Sequence, residues 1–384
     1  MANKIATIVD SVLSDHITNQ IRRHGPLTLA SYIDLALGDA EHGYYQKQDP
    51  LGASGDFTTA PEISGLFGEM CGLYLAHMAD LANLDNPAIL ELGPGRGSLM
   101  ADMRHAWAQI MPPLAAAPVH LVETSPALRK RQSDRLGDAA LYWHQDLDDL
   151  PARPIFGIAN EFFDALPINQ AIWRQSETSK TGAWHHRLVG LVDHRLGFVD
   201  GPTLSEAELD EWHLSAPAGA LPAAGTIAEY CAIADQYTGK LARHIATYGG
   251  ACLIVDYGRD GSSGDSLQAV ANHQPVDVFY QPGDADLSHW VDFGALRRAA
   301  IAAGARLVGP VTQGDFLRGI GIAQRTEALA RLADAETRRG LLAAVDRLVS
   351  SHQMGSAFKV GLLLPPGNGL PPGFAVADET ETAK

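Results

Sequence analysis

The sequence predicts an α/β fold: a parallel sheet with helices on both faces, extended by helical and antiparallel insertions. Three observations predict it. Between residues 88 and 161 the apolar runs "AILEL", "VHLVE", "ALYWH" and "IFGIANE" are interleaved with helical patterns, from about Ser98 to Gln109 and over "PALRKRQSDRL". Strands alternating with helices of this length make a parallel sheet. The first strand ends in a glycine turn, "ELGPGRG", at the edge where open α/β sheets bring ligands close to the backbone. Residues 170 to 200 then break the alternation. "AIWRQ", "HHRLVGLV" and "RLGFVD" leave no room for crossover helices, so they read as an inserted antiparallel meander.

The remaining elements follow in order. Residues 1 to 80 read as mostly helical, with "GPLTLASYIDLAL" at helical spacing and a Gly-rich loop, "DPLGASGDFTTAPEIS", before the last helix. After the meander a long helix leads to "ACLIVDY", which rejoins the sheet. The Gly/Ser-rich "GRDGSSGDS", helix "DFGALRRAAIAAG", strand "ARLVGPV", helix to about Val349 and strand "AFKVGLLLP" complete the pattern. The expected domains are a helical region at 1–80 and a main domain at 81–364, with insertions at about 170–225 and 258–350. The tail 365–384, rich in Pro, Gly and acids, is expected to be disordered.

Bulk properties exclude several classes. With 384 residues, 46% of them hydrophobic, the chain can bury a large core. Its net charge of −16 disfavours nucleic acid and anionic membrane as partners. Runs such as "LVGLV" and "VGLLLP" are too short to insert into a membrane. Cys71, Cys231 and Cys252 form no CxxC or Cys/His set, which fits a reducing compartment, and a cytoplasmic location is expected. The start lacks a basic n-region and an apolar h-region, so no cleaved leader is expected. HExxH, Walker and GxSxG patterns are missing, and His185 and His186 read as solvated, so no bound metal is expected.

The glycine turn has an acidic neighbour. Gly93 and Gly95 fit a dinucleotide fingerprint, but its third glycine would fall on Ser98, whereas here it is Gly97. Glu91, two residues before the turn, is a poor neighbour for a pyrophosphate and a good one for an ammonium group. S-adenosylmethionine carries a sulfonium, an amino group and a ribose, with no phosphate, and it is the expected ligand. Glu123 ends the second strand, where an acid accepts ribose hydroxyls. Asp146 follows the third strand, where a carboxylate accepts from the adenine amino group. Asn160 and Glu161 end the fourth strand.

These residues lie in longer segments that resemble the MidA-like methyltransferases: "GDFTTAPEIS", "ELGPGRGSLMADM", "HLVETSPALRKRQ", "ANEFFDALPINQ", "TQGDFLRGIGI" and "MGSAFKVGLLL". The resemblance runs from about Ile21 to Leu364. It implies a seven-stranded, Rossmann-like S-adenosylmethionine methyltransferase sheet, with cofactor contacts from Gly93 through Pro94 and Gly95 to Gly97, and at Glu123 and Asp146. It also implies that the loop from Asp56 through Thr59 to Glu62 closes over the site. The family's mitochondrial relative is an arginine methyltransferase and assembly factor for respiratory complex I, so the resemblance implies a protein substrate, with a complex I subunit as candidate. One departure stands at "AEYCAIA": Glu229 is present, but the small-Pro pair expected after it is missing.

An arginine acceptor needs carboxylates that clamp its guanidinium. Glu161 and Asp164, three apart in "NEFFD", are the candidate catalytic pair. They would share one face of a helix, should a helix begin there. Asp256, at the end of the fifth strand, and Asp265 beyond it rank lower. Competing readings are methylation of a small molecule or another side chain, and an assembly chaperone that binds the cofactor without catalysis. The oligomeric state is not readable.

Overall fold

The computed structural model describes residues 11–47, 59–137, 139–175, 181–214, 221–261 and 264–374. In the N-terminal segment, α1 (Val12–His24) and α2 (Leu29–Gly38) are each capped by a hydroxyl, from Ser11 and Thr28. Short α3 (Tyr44–Lys47) and α4 (Ala60–Ile63) precede α5 (Gly65–Ala82). The alternating part is β1 (Ala88–Leu92), α6 (Ser98–Ile110), α7 (Pro112–Ala115), β2 (Val119–Val122), α8 (Pro126–Leu136), β3 (Leu141–His144) and β4 (Ile155–Asn160).

The meander follows as β5 (Asn169–Gln175), β6 (Gly182–Val192) and β7 (Arg195–Thr203), then α9 (Glu206–Glu211) and β8 (Ile227–Tyr230). The chain returns through α10 (Ala232–Tyr248) to β9 (Gly250–Arg259). It then makes β10 (Gln268–Ala271), β11 (Gln274–Val276), β12 (Asp286–Ser288) and β13 (Val291–Asp292). The last part is α11 (Phe293–Ala302), β14 (Arg306–Thr312), α12 (Gln313–Gly319), α13 (Ile322–Leu332), α14 (Ala335–Val349), α15 (Met354–Ala357) and β15 (Phe358–Leu364).

The large sheet runs β14-β15-β9-β4-β1-β2-β3, with β13 paired to the end of β9. Neighbours among β9, β4, β1, β2 and β3 are parallel, while β15 is antiparallel to both β9 and β14. The chain builds outward from β1 to β3 and restarts at β4 on the other side of β1. Such a reversal leaves a crevice at the carboxyl ends of β1 and β4, the place where open sheets bind ligands.

Alternation along each buried strand feeds two cores. Ile89, Phe156 and Leu253 point into one, with α5 and α6; Leu90, Leu92 and Ile254 point into the other, with α10 and α11. Close packing of α5 on α6 depends on a glycine. A β-carbon at Gly72 would lie 2.9 Å from the Met103 Cα, and the Trp107 indole donates to the Gly72 carbonyl at 2.7 Å.

The first eighty residues do not pack as one unit. Helices α1 and α2 share a core with Val189 of β6 and with Ala269, Ala271 and Leu287 of the small sheet β11-β10-β12, whereas α5 belongs to the large sheet. The meander pairs as β7-β6-β5-β8. The expectation of disorder from Pro365 onward is corrected for residues 365–374. Arg306 donates to the Pro365 and Gly369 carbonyls, and Phe374 is 3% exposed, its ring against Tyr74 and Phe316. Composition had concealed one buried aromatic anchor. Residues 375–384 lie outside the described residues.

Candidate active site

The crevice begins at the glycine turn. Gly93, Gly95 and Gly97 all have positive φ, at 62°, 51° and 75°. A β-carbon at Gly93 would meet the Phe162 ring at 2.9 Å, and Gly97 starts α6 with no side-chain cap. The first N–H groups of α6 thus have no side-chain cap, and the turn is closed by Gly97 N donating to the Pro94 carbonyl at 2.8 Å and Gly93 N to the Val122 carbonyl at 3.1 Å. Glu91 is 2% exposed, and its Oε2 has no hydrogen-bond partner among the described residues. Burial pushes its carboxyl up to about 8.

Glu123 follows β2 and is nearly buried. Its Oε1 accepts from Ser125 N at 2.8 Å and its Oε2 from Gln132 Nε2 at 3.2 Å. Burial raises its pKa, and these donors oppose the rise. Each oxygen keeps a lone pair for a further donor. Asp146, after β3, is half-exposed. It accepts from Asp148 N at 2.8 Å and lies 3.9 Å from the Lys240 ammonium.

Glu161 stands just past β4 with φ +52°, a conformation that costs a non-glycine residue energy. Its Oε1 accepts from Ala60 N at 3.1 Å and from Asn160 Nδ2 at 3.2 Å; Asn160 Oδ1 has no partner among the described residues. No helix begins at residue 161, so the condition for Glu161 and Asp164 to share a helix face is not met. Asp256 of β9, fully buried, accepts from Phe162 N at 3.2 Å and Phe163 N at 2.8 Å. Those two amides are held by a carboxylate in a turn rather than entering a helix.

Asp164 comes close to Glu161 through this turn. Burial and the charges of Asp256, Glu161 and Asp286 raise its pKa well above the usual carboxylate range. Glu161 is raised as well, chiefly by burial. Tyr45 of α3 donates to Asp286 Oδ1 at 3.2 Å, and His289 N donates to the Asp164 carbonyl at 3.0 Å. Sequence reasoning missed Tyr45, Asp286 and His289. None was singled out by its residue type, and they come from two distant segments: Tyr45 from the N-terminal helices, Asp286 and His289 from β12 and the residue after it.

Thr59 precedes α4 as its N-cap and Glu62 lies within it, and this short helix bridges two parts of the candidate site. Glu62 Oε1 accepts from Ser98 Oγ at 2.7 Å and its Oε2 lies 3.6 Å from Arg96, while Ala60 N reaches Glu161. Asp56 lies outside the described residues. Glu229 accepts from Gln170 Nε2 and Ser266 N, tying β8 to the segment after β9. Asp265 accepts from Arg187 and Gln170 at 2.9 Å, and those two donors account for both of its oxygens. Its bonding is to the meander.

This set fits S-adenosylmethionine. The orphaned, buried Glu91 oxygen suits an ammonium, the uncapped N–H groups at the start of α6 suit a carboxylate, and the remaining lone pairs of Glu123 suit ribose hydroxyls. Among the described residues no group of three His, Cys, Asp or Glu side chains is arranged to hold a metal, and no helix is long and apolar enough to cross a membrane.

Comparison with known proteins agrees with this chemistry. Residues 70–311 match the model of an S-adenosyl-L-methionine-dependent methyltransferase family. The chain is 34% identical to the mitochondrial protein arginine methyltransferase NDUFAF7 of Danio rerio, over 92% of this chain and 87% of that one. Against the same protein of Homo sapiens the identity is 33%, over 91% and 82%. A crystal structure of a Burkholderia thailandensis protein bound to S-adenosyl-homocysteine superposes with a TM-score of 0.80 at 26% identity, covering 96% of each chain. The relatives are named as mitochondrial, which overturns the cytoplasmic location expected from the cysteines. Free thiols record reducing conditions, and more than one compartment supplies them. The chain belongs to the MidA-like family of S-adenosylmethionine-dependent methyltransferases.

Proposed function

We propose that this methyltransferase modifies an arginine side chain of a protein substrate. The observation that carries the reading is the set of acids just past β4, where Glu161 and Asp164 are joined by Asp286 from β12, with Asp256 behind them. Burial raises the pKa of Glu161 and Asp164, and repulsion from the neighbouring carboxylates raises Asp164 further, so a cation entering between them relieves these costs.

A guanidinium matches this need. It stays protonated, is planar, and offers donors in a fork that two carboxylates can take bidentately. Holding two of its nitrogens orients the third and draws positive charge away from it. Bound S-adenosylmethionine supplies a methyl group activated by the sulfonium. The chain's own contribution is alignment and exclusion of water, effects worth roughly 7–11 kcal/mol. A carboxylate with a raised pKa is also suited to take the proton that the methylated nitrogen sheds.

The printed names of the NDUFAF7 relatives, protein arginine methyltransferases, support the reading, and the net charge of −16 favours a basic substrate segment. The family resemblance adds a respiratory complex I subunit as the candidate substrate. The test is transfer of labelled methyl from S-adenosylmethionine to proteins of an extract made from cells lacking this enzyme. One labelled protein, modified on arginine and unlabelled with Glu161→Gln, is the expected result. Label on lysine or on a small molecule would sink the arginine reading.

A further inference from the structure

We propose that Gln132 is a positioning residue of the cofactor site, fixing the glycine turn after β1 and Glu123 after β2 at one separation and orientation. Gln132 lies on α8, is fully buried, and touches three pieces of the sheet edge at once. Its Nε2 donates to the Gly95 carbonyl at 2.8 Å and to Glu123 Oε2 at 3.2 Å, and its Oε1 accepts from Trp143 Nε1 of β3 at 2.8 Å. The chemistry of the partners sets the amide's direction. An indole N–H can only donate, and a carbonyl and a carboxylate can only accept, so one flip state satisfies all three.

Packing adds to the hydrogen bonds. A β-carbon at Gly97 would meet Gln132 Cα and Cγ at 3.5 Å, so the side chain lies directly against the turn. No other side chain type offers two acceptors an NH2 group and one donor an oxygen at this reach. Asparagine is one methylene too short, and glutamate would set an oxygen against the Gly95 carbonyl and the Glu123 carboxylate. Gln132 therefore acts through Glu123 and the Gly95 backbone and need not touch the cofactor. The inference is independent of the acceptor's identity.

The test is calorimetric binding of S-adenosyl-homocysteine to the full chain as a function of pH, for the wild type, Gln132→Met and Trp143→Phe. Loss of a donor to a charged acceptor predicts binding weaker by about tenfold to a hundredfold in Gln132→Met. Glu123 also loses a donor that holds its pKa down, so the acid limb of affinity moves to higher pH. Trp143→Phe leaves the amide in place without its guide, and a smaller loss with the same direction of movement is expected. Weakening of equal size at every pH reports a merely structural role and overturns the proposal, as does unchanged affinity. If Gln132→Met does not fold, Trp143→Phe decides: wild-type binding with an unmoved acid limb overturns it.

Discussion

The Ala60 amide donates to the Glu161 carboxylate at 3.1 Å across 101 residues of sequence. This bond joins α4, which also holds the glycine turn through Glu62 and Ser98, to the turn that carries the candidate catalytic pair. The candidate cofactor cradle and the proposed acceptor site thus share one short helix.

Glu161→Gln should separate the two. The amide keeps the side chain's size and its oxygen toward Ala60 but removes the negative charge. S-adenosyl-homocysteine affinity should hold while turnover falls by about a hundredfold or more. Equilibrium binding and single-turnover methylation measure both, and undiminished turnover would remove Glu161 from the mechanism.

Glu91 predicts a pH dependence of stability. Its carboxyl is raised from 4.5 to about 8 by burial, so folding favours the protonated form. The stabilisation is complete below the unfolded value and is lost as pH rises through about 8, with each pH unit between the two contributing about 1.4 kcal/mol. Glu91→Gln should flatten the fall in the melting temperature of the ligand-free protein between about pH 4.5 and 8. An ammonium ligand should also expel the proton, so calorimetry in buffers of different ionisation enthalpy should show proton release on binding.

His120 and His144 predict the opposite limb. Their rings are joined Nδ1 to Nε2 at 2.8 Å, an arrangement that needs one donor and one acceptor, and burial lowers His120 to about 4 and lowers His144 as well. Stability should therefore fall as pH drops from about 6.5 toward 4, where the unfolded chain binds protons that the folded one refuses. His144→Gln keeps a partner for His120 and should shift the acid unfolding midpoint to lower pH.

Phe374 predicts that the segment after β15 is part of the fold. Its ring lies 5.5 Å from Phe316 and 6.4 Å from Tyr74 between centroids. Phe374→Ala should cost up to about 3 kcal/mol in denaturant unfolding. A change indistinguishable from zero would mean that the segment contributes nothing to stability.

Local sequence determined the architecture of the sheet and its ligand-binding edge. Apolar runs of strand length separated by helical patterns record which residues are buried against near neighbours, so the β1-to-β4 alternation and the meander were both readable. Three glycines at positive φ need the backbone freedom that their residue type announces. Glu91 within β1 and Glu123 just past β2 were also legible, as acids set in or beside apolar strands.

Only the tertiary structure decided what surrounds them. Asp256 accepts from two amides and holds a turn at a stretch whose spacing alone left open whether a helix begins there. Tyr45 comes from the N-terminal helices, and Asp286 and His289 come to Asp164 from the β12 segment, while Gln132 meets Gly95, Glu123 and Trp143 only once α8 packs on the sheet edge. Periodicity reports which side of an element faces inward. It does not report which distant polar group will be waiting there, because that pairing is set by topology.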